Sequence, residues 1–112
     1  MADAHKNFSI SAVTNNPGTG GTSLTITSGH TTRFPDAPFN ATVCPASTTP
    51  DPSNSEIVRV IAVDAGTNTF TIQRAQENTT ARNIVATDSI FASVTVKTLT
   101  DVETVANLML LI

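Results

Sequence analysis

The sequence contains no tryptophan, no tyrosine and a single cysteine, and only 13% of its residues are charged. Without Trp and Tyr, the five phenylalanines (Phe8, Phe34, Phe39, Phe70 and Phe91) must supply all the aromatic packing. Large rings dominate core energetics, so the expected core leans on Val, Ile and contacts with neighbouring subunits. The same absence argues against a carbohydrate-binding β module, because sugar sites stack their ligands on exposed Trp or Tyr. A net charge of −3 with six basic residues in all does not provide the clustered Lys and Arg that displace counterions from nucleic acid. Nor does it provide a polybasic membrane patch. Cys44 has no second cysteine to pair with and reads as a small buried hydrophobe. No run approaches the ~20 apolar residues of a membrane span, and residues 1–7 lack the apolar stretch of a signal peptide. The expectation is a protein made and folded in the cytoplasm, in which the Asn-x-Ser/Thr triplets at Asn7, Asn40 and Asn78 are chance matches.

Groupings that carry chemistry are equally sparse. His5 and His30 are the only histidines, and neither has a neighbour at ligand spacing where a metal site usually needs three or four clustered donors. Gly18-Thr19-Gly20-Gly21 lacks the Lys-Ser/Thr pair of a phosphate loop and runs on into a strand-like segment, so it reads as a turn. Ser and Thr are abundant, but none stands in a nucleophile elbow. Arg74, Glu77, Arg82 and Asp88 form the one concentration of charge. A salt-bridged loop or an intersubunit contact is the ordinary account of such a group. No catalytic residue, metal site or cofactor is expected.

At 112 residues the chain fits one domain, able to bury roughly 60–70% of its unfolded surface. Threonine is the commonest residue, with 20 copies, and its branched Cβ suits a half-exposed strand. Short strands are expected near Phe8–Val13, over Thr22–Thr27 with Leu24 and Ile26 inward, and over Phe39–Cys44. The prolines of Pro45–Ser55 mark a surface loop. Glu56–Val63 and Thr69–Arg74 flank Asp64–Asn68 and predict a β-hairpin with Phe70 and Ile72 on one face. Ile90–Lys97 carries apolar residues on both faces, as a central strand does.

The carboxyl end changes character. Thr100-Asp101-Val102-Glu103 is a capping box. Val102, Val105, Met109 and Ile112 then step by three, four and three residues, the seam spacing of a short coiled coil. Ala106, Leu108, Leu110 and Leu111 make the last turns apolar nearly all round, so the helix needs a cover, most simply a partner subunit. The expected fold is therefore all-β, a small antiparallel β-sandwich or barrel with a short C-terminal helix. It divides into an N-terminal arm and turn-rich segment (1–21), a β domain (22–98) and an apolar oligomerisation or anchoring tail (99–112).

The segment Glu56-Ile57-Val58-Arg59-Val60 followed by Phe70-Thr71-Ile72-Gln73-Arg74-Ala75-Gln76-Glu77-Asn78-Thr79-Thr80-Ala81-Arg82 resembles a module of virion structural proteins in tailed bacteriophages. The upstream Phe34-Pro35-Asp36-Ala37-Pro38-Phe39 and the downstream Leu99-Thr100-Asp101-Val102-Glu103 extend the resemblance to roughly Leu24–Glu103. Two positions depart from the pattern, since Ala75 and Asn78 stand where glycine is frequent. The resemblance implies assembly rather than catalysis, in small head proteins or in the particle-proximal parts of tail fibres, spikes and minor tail proteins. Its implied location is the virion. Its implied partners are the major capsid protein or tail proteins, and further copies of the chain, most simply as a trimer. With the chain stopping at Ile112, the expectation is a capsid decoration or cement protein. It would dock through loops Arg33–Phe39 and Gln76–Arg82, with Arg33, Phe34, Phe39, Gln76, Glu77 and Arg82 as contacts, and through Val102, Val105, Met109 and Ile112 of the tail.

Overall fold

The computed structural model describes residues 3–92 and is all-β. Its strands are β1 (Ile10–Ala12), β2 (Ser23–Thr25), β3 (Phe39–Cys44), β4 (Glu56–Asp64), β5 (Thr69–Gln76) and β6 (Ser89–Phe91), with a 3-10 turn at His30–Arg33. They form one antiparallel sheet in the order β1-β6-β3-β4-β5-β2. The sheet curls until its two outer strands meet. Val13, just past β1, bridges Ile26, just past β2. Around that bridge the Thr14 amide donates to Thr25 O at 2.9 Å and the Thr27 amide to Ala12 O at 3.2 Å.

The curl encloses the core. Leu24, Ile26, Phe39, Val43, Val58, Val60, Phe70, Ile72 and Ile90 all point into it. Three of the five phenylalanines meet at its centre: the Phe70 ring lies edge-on to Phe34 and Phe39, with centroids 5.0 and 5.8 Å away. In β5 the alternation is as the sequence predicts, with Phe70 and Ile72 buried and Thr71 and Gln73 exposed. β6 lies between β1 and β3, so its described part is interior to the sheet. The remainder of that expected strand lies outside the described residues, as do the expected capping box at Thr100 and the seam Val102, Val105, Met109 and Ile112.

Three features depart from the sequence expectations. β1 falls within the expected arm of residues 1–21 yet is hydrogen-bonded into the same sheet, so the β unit starts near Ile10. Ile84, in a stretch that reads as polar, is fully buried, because its amide and carbonyl pair with Gly18 and draw the side chain inward. The β4–β5 ladder is also irregular twice. An extra residue on β5 lies between the pairs Ile57↔Gln76 and Arg59↔Gln73, and an extra residue on β4, Ile61, lies between Val60↔Ile72 and Ala62↔Thr71. Such bulges bend a strand and re-aim its side chains. At the second one and just past it, Ile61 and Val63 reach solvent.

Candidate functional site

The charged residues of β5 and the loop after it are the place to look for chemistry, and their geometry is that of a structural knot. Arg74 has five N–H donors, and all five are used. Nε and Nη2 donate to the two oxygens of Glu56 at 2.8 Å each. Nη1 donates to Gly18 O and Gly21 O at 2.9 Å, and Nη2 donates again to Arg82 O at 2.7 Å. Glu56 is equally saturated, because its oxygens also accept from the amides of Ala75 and Arg82 at 2.8 and 2.9 Å. The Glu56 side chain is fully buried and the Arg74 side chain nearly so. Burial pushes the Glu56 carboxyl up, but Arg74 and the two amides outweigh it and hold the group below its ordinary value.

Each turn around this knot has a local cause. The Pro17–Gly21 turn closes with the Gly21 amide on Pro17 O at 3.0 Å, which aims the Gly18 and Gly21 carbonyls at Arg74. A Cβ on Gly21 would sit 2.4 Å from that same oxygen, so only glycine fits. The turn Gln76–Thr79 is closed by the Thr79 amide on Gln76 O, with both central residues, Glu77 and Asn78, at positive φ. Arg82 pairs with Asp88, whose carboxylate also accepts the Val85 amide at 2.9 Å. The sequence group Arg74, Glu77, Arg82 and Asp88 is thus split. Arg74 joins Glu56, Arg82 joins Asp88, and Glu77 accepts from Asn40 Nδ2 at 2.7 Å on the outer face of the sheet. Glu56 is the member that sequence reasoning missed. Counting back from the Asp64↔Thr69 end of the hairpin sets Glu56 opposite Glu77, and since the two bulges offset each other the observed pair Ile57↔Gln76 keeps that register, so position along the ladder does not reveal Arg74 as the partner. The extra residue on β5 lies beside Arg74, close to Glu56.

Ala75 occupies the left-handed region at φ 53 within that bulge, and Asn78 does so at φ 63. An L residue with a Cβ is strained there, asparagine least. Ala75→Gly is expected to raise stability by about 0.5–1 kcal/mol, the relief of strain exceeding the entropy of the added glycine. Urea unfolding at neutral pH measures it, and a lower midpoint for the glycine variant would contradict the strain.

The expected docking residues fall into three groups. Arg33 is exposed, with Nη1 reaching Ile10 O at 3.4 Å, and Gln76, Glu77 and Arg82 are half-buried at the surface. Phe34 and Phe39 are corrected to core residues. They are 4% and 1% exposed, their rings are held against Phe70, and neither is presented to a partner. Val102, Val105, Met109 and Ile112 lie outside the described residues. Cys44 is free and buried. His30 Nδ1 lies 2.8 Å from Ser11 Oγ, a bond that ties the 3-10 turn to β1. Among the described residues no three His, Cys, Asp or Glu side chains gather as metal ligands, and no helix is long and apolar enough to cross a membrane.

What the surface offers is apolar. Phe8 is 88% exposed and Ile10 50%, beside the half-buried Phe91. A groove of about 350 Å³ opens among Thr42, Pro50, Pro52, Ile57 and Thr79. Exposed apolar side chains beside a groove are the kind of surface that packs against another polypeptide. No family model matches the chain, and no match is found among curated proteins.

Proposed function

We propose that this chain is a non-enzymatic structural protein of a tailed-phage particle, a capsid decoration or cement protein that docks on the assembled shell and stabilises it. The observation that carries the reading is the backbone at Ala75 and Asn78. Both residues adopt positive φ at the two positions where the resembling virion module carries glycine, so the departures from its pattern keep the conformation that glycine serves. The internal use of Arg74, Glu56, Arg82 and Asp88 supports the same reading, since the charged residues are spent on rigidity. Repeated weak contacts over a lattice then give avidity without a single strong site. In this reading the meeting of β1 and β2 through Val13 and Ile26 closes the sheet as a small barrel. The tail forms the C-terminal helix, and three copies associate through it.

Mass measurement on the purified particle tests the proposal. Hundreds of copies per particle support decoration, a handful indicate a tail fibre, spike or minor tail protein, and absence from the particle rejects both. Deleting residues 105–112 is expected to leave the β unit folded and to abolish self-association, since most of the apolar seam goes with them. Sedimentation velocity reads this directly, and an unchanged oligomer counts against the tail's role.

A further inference from the structure

We propose that Arg59 is a carboxylate-binding site on the outer face of the sheet. The chain's own Asp3 fills it from a detachable N-terminal arm, and an acidic side chain of a partner protein takes it when the arm lifts. Val58 and Val60 are buried in the core, so Arg59 between them points outward, beside its cross-strand partner Asn40. Arg59 Nη1 and Nη2 donate to the two oxygens of Asp3 at 3.1 and 3.3 Å, the two-pronged grip in which a guanidinium matches a carboxylate. Asn40 is the positioning residue. Its Oδ1 accepts from Arg59 Nη1 at 2.9 Å, and its Nδ2 donates to Glu77 Oε2 at 2.7 Å. The second bond fixes which way the amide faces and so holds the guanidinium in place. It also keeps the Glu77 carboxylate one amide away, so the departure of Asp3 does not leave Arg59 without a counter-charge.

The arm is built to lift. Five consecutive residues, Ala4 to Phe8, are exposed between Asp3 and the buried Ser9. Ser9 is fixed to the body, its Oγ donating to Arg33 O at 2.7 Å and its carbonyl accepting the Ala92 amide at 2.9 Å. From there the arm runs from the β1 side of the sheet to β4, past β6 and β3. Three strand spacings make that ~14 Å, within the ~20 Å reach of six residues. Between its ends the arm is tied at Lys6, whose Nζ donates to Thr32 O at 2.6 Å and whose carbonyl accepts from Ser9 Oγ at 2.9 Å.

The hinge favours release. Phe8 has φ 61, a left-handed backbone that is strained for a bulky residue, and its ring is 88% exposed and gains no burial in return. A free arm relaxes that torsion. Segments with few buried contacts open locally at little cost, and a partner's carboxylate then takes the place of Asp3. The chemistry of the partner follows from the seat, because Arg59 presents a planar fork and Asp3 shows a carboxylate seated on it. The inference stands apart from the particle reading above.

Nuclear magnetic resonance on full-length chains tests it, with a hexa-aspartate peptide as the probe and the amide signals around Asn40 as the readout. Asp3→Asn keeps the arm but not its carboxylate, and is expected to give a saturable shift. The wild-type chain should bind the peptide at least about tenfold more weakly, because the tethered Asp3 competes at high effective concentration. Adding Arg59→Gln to Asp3→Asn should abolish the shift. In parallel, trypsin cleavage after the exposed Lys6, scaled to the rate for a free peptide of residues 1–12, reports lifting of the arm, since a protease takes a locally opened segment. Asp3→Asn is expected to speed that cleavage at least about fivefold. No shift in Asp3→Asn, equal affinity in Asp3→Asn and wild type, or a shift that survives Arg59→Gln overturns the site. A cleavage rate indifferent to Asp3→Asn overturns the arm as its gate. Should Arg59→Gln fail to fold, the comparison of Asp3→Asn with wild type still decides.

Discussion

Replacing Arg74 with alanine is expected to destabilise the fold by about 3–5 kcal/mol, because it leaves the carboxylate of Glu56 buried and uncompensated. Glu56 is fully buried, and Arg74 supplies two of its four hydrogen bonds. The same substitution takes a donor from the carbonyls of Gly18, Gly21 and Arg82, of which Gly18 O keeps the Ile84 amide. Thermal unfolding should show a fall in Tm of more than about 10 °C. Arg74→Lys is expected to recover little, since an ammonium has three donors and no planar fork to match a carboxylate. Adding Glu56→Gln to Arg74→Ala should recover part of the loss by removing the stranded charge. A loss below about 1 kcal/mol for Arg74→Ala would show that the knot is ornamental.

Acid should reproduce the effect. The folded-state carboxyl of Glu56 lies below its ordinary value of 4.5, so the folded chain binds this proton less readily than the unfolded one. Its contribution is therefore complete above about pH 5 and is lost as pH falls through 4.5 towards the folded-state value. Glu56→Gln is expected to be less stable at pH 7 and to show a flatter pH dependence below pH 5. Parallel stability profiles for the two proteins would contradict the linkage.

Phe70→Ala is expected to cost about 3–5 kcal/mol, the ordinary range for emptying a fully buried ring site. Phe70 is 0% exposed and is the ring that both Phe34 and Phe39 meet edge-on, so its loss removes an edge contact from each and leaves them only their mutual stacking. Phe8, at 88% exposure, provides the contrast, and Phe8→Ala should stay within about 0.5 kcal/mol. Urea unfolding compares the two variants, with the midpoint moving and the slope constant. Equal costs for Phe70→Ala and Phe8→Ala would mean that the core is organised around something other than the three rings.

Strand periodicity made much of the fold legible. The hairpin Glu56–Arg74 appears as β4 and β5, with Phe70 and Ile72 inward, because alternation is a local property that burial on one face enforces. The turn at Gly18–Gly21 was legible for the same local reason. Its use as a pair of acceptors for Arg74 was not, since the two segments lie more than fifty residues apart. Phe34 and Phe39 flank a Pro-rich loop and looked like contact residues. Which way a ring turns depends on what waits beneath it, and Phe70 does.

The amino-acid sequence by itself determined the all-β class, the positions of β1 to β5 and the burial of Cys44, and it alone carries the resemblance behind the proposed function. Each follows from residue type and spacing within a few positions. Only the tertiary structure decided that Glu56 is the buried partner of Arg74, that Ile84 belongs to the core, and that Asp3 reaches Arg59 on the outer face of the sheet. Those facts depend on strand order and on hydrogen bonds between distant segments, such as Ile84 with Gly18, rather than on any local pattern.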